Sequence, residues 1–324
     1  MRNSSAAICS TLLFATLFCG SAFGQAYPSK PIKVTTVSQG GALDTVLRLI
    51  GQGISGPLGQ QVIVDNKPSS IYPEDSIAKG TPDGYSLGYF ANAIWLAPFL
   101  RANLPHDPLK DFSPISLTVK GPNVIAITPS LGVNTLSELV ALAKSKPGVL
   151  NIGVTGVGTS PTNAADLFQA LAGTKMTVVR YKGTAQAFLD VVAGRVQVIT
   201  PTILSVLPLA KVGKIKLLAV TSEQASALMP DLPTVASAGY PDYEAVAIQA
   251  LLAPPRTPTA IINRLNEEVT KFLLKADTKA KIVNMGFDVM ASSPAQLSAT
   301  MKSEMDKMGP VFRDAGIKPG DASD

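Results

Sequence analysis

Short apolar stretches alternate with helix-like stretches along most of the chain. Residues 32–37, IKVTTV, have the β-branched character of a buried strand, and residues 42–54, ALDTVLRLIGQGI, repeat apolar positions at helical spacing. Further strand-like stretches lie at 61–66, 85–90, 123–129, 215–222 and 244–255. This alternation of strands and helices predicts a layered α/β fold.

The second half of the chain contains the clearest helix boundaries. Residues 135–145 predict a helix, with Asn134 or Thr135 as its cap and Glu138 in its first turn. Three more helices are predicted at 259–275, 277–285 and 293–310. Because a helical tail cannot form a sheet alone, we expect it to pack against the block of strands at the start of the chain.

The first 26 residues have the features of a cleavable export signal. Arg2 precedes an apolar stretch that is too short to cross a bilayer comfortably, and small residues suited to a signal peptidase follow it. Both cysteines, Cys9 and Cys19, lie in this segment. We therefore predict an exported mature chain without a thiol or a disulfide, and no later apolar run reaches the length of a membrane span.

The composition is that of a folded globular protein. Hydrophobic residues make up 46% of the chain and charged residues 16%, which excludes extended disorder. The chain is long enough for two domains of ordinary size after removal of the signal. Lys and Arg outnumber Asp and Glu by 28 to 23, which weakly favours an acidic ligand. No basic cluster is interleaved with aromatic residues, so we predict no nucleic-acid partner.

Several ordered phrases carry a resemblance to one family. They are YPSKPIKV at 27–34, GGALD at 40–44, PDGYSL at 82–87, RYKGTAQAFLDVVAGRVQV at 180–198 and DLPTVASAGYPDYE at 231–244. From about Tyr27 to Gly320 the chain is similar to the substrate-binding proteins of tripartite tricarboxylate transporters, also called Bug receptors. The resemblance implies a type II-like, two-lobe periplasmic-binding-protein fold that holds its solute in the cleft between the lobes.

The resemblance also implies how the chain divides between the two lobes. Lobe 1 would hold residues 27–126 and 249–324, and lobe 2 would hold residues 127–248, with crossings near Ala126 and Ile248. The solute would lie at the carboxyl ends of strands, where α/β sheets generally hold ligands.

In the family, the loop after the first strand binds a carboxylate through main-chain amides. This loop corresponds here to Ser38, Gln39, Gly40, Gly41 and Ala42. Glycine lets a ligand approach the backbone closely, and the start of a helix offers free N–H groups to an anion. Asp44 matches a family aspartate and is either a ligand contact or a helix cap, of which we favour the cap.

Other predicted lobe-1 contacts lie on strand ends. They are Asn66, Ser69, Ser70, Ala91, Asn92 and Trp95. Trp95 is either a wall for an aromatic solute or a core residue.

Lobe 2 would supply a second anion site from TGVGTS, at Thr155, Gly156, Gly158, Thr159 and Ser160. A plain helix cap explains this stretch equally well. By the resemblance, the remaining contacts are Asn163, where the family usually has histidine, Tyr181 and Lys182 of the family's YKG phrase, and Thr200 and Thr202. Pro201 replaces an acidic residue, which makes an amino-acid ligand less favourable.

The resemblance thus implies a monomeric periplasmic receptor that captures a small organic carboxylate, a di- or tricarboxylate or an aromatic acid. It would deliver this solute to the membrane permease subunits of a tripartite tricarboxylate transporter, with no metal and no cofactor. One alternative is a sensor that signals to a membrane kinase.

The other alternative is an enzyme that uses Lys182 with Tyr181, or Ser160 as a nucleophile. The only histidine, His106, lies in a turn and is expected at the surface rather than as a catalytic base. We therefore predict no enzymatic activity.

Overall fold

The computed structural model describes residues 27–37, 42–67, 73–155, 159–181, 183–314, 316 and 318–320, so the predicted export signal lies outside the described residues. In chain order the strands are β1 (Ile32–Val37), β2 (Val62–Lys67), β3 (Ser86–Ala91), β4 (Ser113–Pro122), β5 (Val124–Ile127), β6 (Asn151–Val154), β7 (Thr177–Arg180), β8 (Val198–Ile199), β9 (Lys216–Val220), β10 (Val246–Ala253) and β11 (Asp288–Val289). The helices are α1 (Ala42–Leu58), α2 (Pro73–Ala78), α3 (Ala93–Leu96), α4 (Leu136–Ser145), α5 (Ser160–Ala172), α6 (Thr184–Val192), α7 (Ile203–Lys211), α8 (Thr259–Leu273), α9 (Ala276–Asn284) and α10 (Pro294–Asp314).

These elements form two mixed sheets, which confirms the predicted α/β class. The first sheet has the strand order β11-β4-β10-β3-β1-β2, and the second has the order β7-β6-β8-β5-β9. In each sheet three parallel strands lie beside an antiparallel strand: β10 next to β3 in the first sheet, and β5 next to β8 in the second. The two sheets therefore have the same arrangement of three parallel strands and an adjacent antiparallel strand.

The chain passes between the sheets twice. β4 ends at Pro122 in the first sheet, and β5 begins at Val124 in the second. The return runs from β9 in the second sheet to β10 in the first. The predicted lobe boundaries at Ala126 and Ile248 each fall on the third residue of the strand that follows a crossover. As a division into lobes, 27–126 plus 249–324 and 127–248 stays a prediction.

Local signals located most helices well. Thr135 is the cap of α4, where its Oγ1 accepts a hydrogen bond from Glu138 N at 3.1 Å, and the Glu138 carboxylate accepts one from Asn134 N. The C-terminal helices pack against the first sheet, as expected of a tail without strands of its own: α8 and α10 both contact β4. Asn266 of α8 donates to Ile115 O at 2.8 Å.

His106 is buried, so its predicted surface position is wrong. Its side chain is 1% exposed, its Nδ1 lies 2.7 Å from Asp75 Oδ1, and its ring meets the Phe112 ring edge-on at 5.3 Å between centroids. The turn sequence suggested a solvated residue, but the apolar body of the imidazole packs on a neighbouring ring while its nitrogen binds a carboxylate. His106 therefore fastens the loop before β4 to α2.

We expect His106→Ala to lower the melting temperature of the protein measurably. The substitution removes a buried hydrogen bond and ring packing together, which corresponds to about 2 kcal/mol or more of unfolding free energy. Differential scanning calorimetry would measure the change. Lys110→Ala, which removes an exposed ion pair with Asp107 in the same loop, is the control and should leave the melting temperature nearly unchanged. Equal melting temperatures for both variants would contradict this role of His106.

Candidate functional site

The two crossovers make the carboxyl edges of the two sheets face each other. β10 begins beside the carboxyl end of β3, where Asn92 N donates to Ile248 O at 3.0 Å. β5 begins beside the carboxyl end of β8, where Val124 N donates to Pro201 O at 2.9 Å. Both crossovers therefore connect carboxyl edges, and the helix starts that follow β1, β6 and β8 lie across from one another. Ligands of α/β proteins bind at this edge.

A cavity of about 100 Å³, which we call the second-sheet cavity, opens at the carboxyl edge of the second sheet. Its lining is Gly153, Thr155, Pro161, Thr184, Ala187, Phe188, Ile199, Thr200, Pro201, Thr202 and Ser205. Pro161 lies in the first turn of α5, Thr184 is the first residue of α6, and Thr202 is the cap of α7. Three helix N-termini, with their positive dipole ends and free N–H groups, therefore converge on one cavity.

Hydroxyl groups surround this cavity. Thr155 Oγ1 lies 3.3 Å from Thr159 Oγ1, and Thr159 Oγ1 donates to Thr162 Oγ1 at 3.1 Å. Thr200 Oγ1 donates to Pro161 O at 2.6 Å, and Thr202 Oγ1 donates to Ser205 Oγ at 2.9 Å. Of the predicted residues, Thr155, Thr200 and Thr202 line the cavity, and Thr159 is beside it through its contact with Thr155. A threonine hydroxyl can both donate and accept hydrogen bonds.

Ser160 is tied to the crossover rather than to this cavity. Its Oγ lies 2.6 Å from Asn123 Nδ2, which donates to it, and the same amide reaches Ala245 O at 3.3 Å on the second crossover. Asn123 is fully buried and also forms a bridge with Thr202. This asparagine therefore connects both crossovers with the starts of α5 and α7.

A second cavity of about 320 Å³, the intersheet cavity, lies between the two sheets. It is lined by Ala42, Gly121, Pro122, Thr202, Leu204, Ser205, Met285, Gly286 and Phe287. The two sheets come close here: Gly286 has φ +83°, and a Cβ on it would lie 2.7 Å from the Leu204 side chain. Thr202 and Ser205 line both cavities, so the two are adjacent. Among the described residues that line them, none is charged.

The predicted lobe-1 contacts are only partly described. Ser38, Gln39, Gly40 and Gly41 lie outside the described residues, as do Ser69 and Ser70. Ala42 begins α1 and lines the intersheet cavity. Ala91 ends β3 beside Gln249 and lines neither cavity.

Asp44 and Asn66 contact each other at the rim of the first sheet. Asn66 Nδ2 donates to Asp44 Oδ1 at 2.9 Å, and Arg48 bonds to both residues, with Nε 3.1 Å from Asp44 Oδ2 and Nη2 2.8 Å from Asn66 Oδ1. Asp44 is buried in the first turn of α1. This carboxylate therefore joins α1 to the end of β2.

Tyr181 is bonded to helix α6. Its hydroxyl donates to Asp190 Oδ2 of α6 at 2.7 Å, and Asp190 also pairs with Arg195. Desolvation raises the pKa of the phenol to about 12, and the bond to Asp190 adds to this shift. Gly156, Gly158 and Lys182 lie outside the described residues. The described contacts of Tyr181 are those of a packing residue that holds α6 beside β7.

Asn92 and Asn163 line a different cavity, of about 340 Å³, which we call the hinge cavity because both crossovers border it. Its other lining residues are Leu96, Leu117, Lys120, Glu244, Ala245, Val246, Ile248, Met290, Ala299, Thr300, Ser303, Glu304, Lys307 and Met308. Trp95 is fully buried behind it, as in the core alternative, and its Nε1 donates to Glu304 Oε2 at 2.7 Å. Asn92 Nδ2 lies 3.4 Å from both carboxylate oxygens of Glu304 and 3.1 Å from Val246 O.

The sequence reasoning missed Glu304, Lys120 and Glu244, of which the last two form an ion pair in the hinge cavity. A signal for Glu304 was present. It occupies the same helical stripe of α10 as the buried residues Leu297, Met301 and Met308, and an acid in an apolar stripe is unusual.

A family model described as "Tripartite tricarboxylate transporter family receptor" matches residues 46–317. The chain belongs to this receptor family.

Several relatives of the receptor match over most of their length. It is 32% identical to a UPF0065 protein of the ttuE-ttuC' intergenic region of Agrobacterium vitis, over 94% of this chain and 90% of the relative. It is 28% identical to BugT of Bordetella pertussis, over 90% of this chain and 91% of the relative.

Solved structures agree with the receptor in fold. Rpa4515 of R. palustris, solved with adipate, is 30% identical with a TM-score of 0.77 over 90% of this chain and 99% of that one. MatC of Rhodopseudomonas palustris, solved with malate, is 26% identical with a TM-score of 0.72 over 88% and 99%. The receptor thus has the two-lobe periplasmic-binding-protein fold, and its family and structural neighbours are solute-binding receptors rather than enzymes.

Two kinds of feature are absent from the described part of the receptor. No helix there has the length and apolar character needed to cross a bilayer. The same residues contain no group of three or more His, Cys, Asp or Glu side chains that would hold a metal ion.

Burial raises the pKa of Glu304 to about 7 from its usual 4.5, and the hydrogen bonds from Trp95 and Asn92 offset only part of this. The nearby Glu244 raises the pKa further, while Lys120 lowers it. The folded receptor therefore binds this proton more tightly than the unfolded chain does. The stability that Glu304 contributes is complete below about pH 4.5 and is lost as the pH rises through about 7.

The melting temperature of the receptor should fall as the pH rises from about 5 to about 7.5. We expect Glu304→Gln to make this fall smaller. Calorimetry across this range would measure the slope. Asp166, whose pKa burial raises to about 6, should leave a residual slope of the same sign. Asp306→Asn, on the exposed side of the same helix, is the control and should keep the full slope. An unchanged slope in Glu304→Gln would contradict a buried acid at this position.

Proposed function

We propose that this receptor captures a small organic carboxylate, a di- or tricarboxylate or an aromatic acid, between its lobes. The observation that carries the proposal is the second-sheet cavity, where three helix N-termini and four threonine hydroxyls converge without a charged side chain among the described lining residues. Helix N-termini favour anions, and hydroxyls supply the hydrogen bonds. The adipate and malate with which two similar structures were solved support the carboxylate class.

The size and polarity of the two adjacent cavities suit such a solute. The carboxylate would lie at the helix N-termini, and the carbon skeleton would extend into the intersheet cavity, whose lining includes Leu204, Met285 and Phe287. Each hydrogen bond to a charged group contributes about 1.5 to 3 kcal/mol, and a micromolar dissociation constant needs about 8 kcal/mol. A few such bonds are sufficient after desolvation.

We also propose that the receptor delivers its solute to a membrane transporter. The receptor would be exported by its first 26 residues to the periplasm, act as a monomer, close its lobes on the solute and present it to the permease subunits of a tripartite tricarboxylate transporter. The family membership and the periplasmic neighbour BugD, which is 26% identical with a TM-score of 0.73, support this assignment.

We expect di- and tricarboxylates or aromatic acids to raise the melting temperature of the purified receptor by several degrees, because a ligand that binds only the folded state stabilises it by mass action. A thermal-shift screen would measure this, with amino acids as controls. Pro201 offers no acid to an ammonium group, so amino acids should shift the transition little. A screen in which amino acids alone stabilise the receptor would refute the carboxylate proposal.

We expect Thr155→Val to weaken carboxylate binding about tenfold or more, because the isosteric change removes one hydroxyl that faces the helix N-termini. Isothermal titration calorimetry with the best carboxylate of the screen would measure the change. Thr177→Val is the matched control: this threonine begins β7 at the opposite edge of the same sheet and bonds to Gly148 O. Equal affinities for the two variants would count against the second-sheet cavity.

A further inference from the structure

The hinge cavity is separate from the proposed carboxylate site. It shares no lining residue with the second-sheet or the intersheet cavity. Its volume of about 340 Å³ falls in the range of small-molecule sites. Its lining is also chemically different, because it contains two acids and two lysines where the other two cavities contain none among the described residues.

Glu304 has acceptor capacity left over inside this cavity. An ionised carboxylate offers about four lone-pair sites, and Trp95 Nε1 fills one of them at 2.7 Å. The Asn92 amide is 3.4 Å from both oxygens, which is long for a hydrogen bond. Desolvation of an acid with so few donors is costly, and a cation would offset it.

Neither lysine of the cavity forms an ion pair with Glu304 among the described contacts. Lys120 is paired with Glu244 and lowers the pKa of Glu304 through space, and Lys307 lines the cavity as an exposed residue without an ion pair to Glu304. Among the described residues, Glu304 therefore has no cation bonded directly to its carboxylate. Part of the remaining wall is apolar, because Leu96, Leu117 and Met308 line the same space.

We propose that the hinge cavity is a second ligand site, which takes a small primary amine with its ammonium group on Glu304 and its hydrocarbon part on Leu96, Leu117 and Met308. An ammonium group donates three hydrogen bonds and supplies the missing charge. The walls come from both sheets' elements, since Asn163 belongs to α5 and Glu304 to α10. The site does not depend on the proposed carboxylate function.

The receptor contains a built-in reporter for this site. Trp95 is the only tryptophan of the chain, and its indole N–H donates to Glu304. Titration of the whole mature receptor with n-butylamine at about pH 8, where Glu304 is ionised, should give a saturable change in tryptophan fluorescence. The neutral isostere 1-butanol and the anion butyrate should give no saturable change at the same concentrations.

Substitutions in the hinge cavity test where n-butylamine binds. Glu304→Gln should weaken n-butylamine binding about tenfold or more, whereas Asp306→Asn on the exposed side of α10 should leave it unchanged. Ser303→Phe, which narrows the cavity and keeps Glu304, should also weaken binding, so the test remains valid if Glu304→Gln folds poorly. Affinity should fall at about pH 5.5, where Glu304 is protonated.

Measurements of adipate binding distinguish the hinge cavity from the proposed carboxylate site. Glu304→Gln should leave adipate binding by calorimetry unchanged, and Thr155→Val should leave n-butylamine binding unchanged. The proposal is overturned by the absence of a saturable amine signal, by an equal response to 1-butanol, or by loss of adipate binding in Glu304→Gln. Failure of every carboxylate to bind would instead count against the proposed function alone.

Discussion

The direction in which the chain crosses between its two sheets is the constraint on which the rest of the structure depends. β10 and β5 each begin beside the carboxyl end of a parallel strand in their own sheet, so both crossovers connect carboxyl edges. The helices that follow the parallel strands then begin at this shared edge. Their N-termini, which carry partial positive charge and unpaired N–H groups, face the space between the sheets. Asn123 stabilises this arrangement, because its amide binds the start of α5 and the backbone of the second crossover.

A site built from helix N-termini and hydroxyls has consequences that differ from those of a site built on a cation. Fixed dipoles need no counter-charge in the empty protein, whereas a buried arginine or lysine would need one. Each hydroxyl and amide contributes a modest and directional increment, so shape and hydrogen-bond geometry decide which anion fits. Many small contributions to the binding free energy suit a receptor that must also release its solute. The short carbon chains of adipate and malate in the related structures are consistent with such a site.

The other side of the crossovers has the opposite chemistry. There Lys120, Glu244 and Glu304 lie on elements that meet at the crossovers, and Glu304 is linked through Asn92 to the backbone of Val246. The charged groups thus lie where the chain passes between the sheets, and the uncharged ones lie where an anion would bind. This separation keeps negative carboxylates away from the proposed solute and concentrates titratable groups at the hinge.

The sequence by itself determined the α/β class, most helix boundaries and the family, because these depend on local periodicity, capping residues and ordered phrases. Thr155 and Thr159 were indicated by a strand end before a helix start, whereas Thr200 and Thr202 were implied by the family resemblance, and their contact with a solute stays a prediction. Only the tertiary structure decided that Asn92 and Asn163 line the hinge cavity, that Tyr181 binds Asp190 and that His106 is buried against Asp75. Glu304 lies 209 residues from Trp95 along the chain. Side-chain direction and long-range partners depend on how the sheets and helices pack, and a one-dimensional pattern does not contain that information.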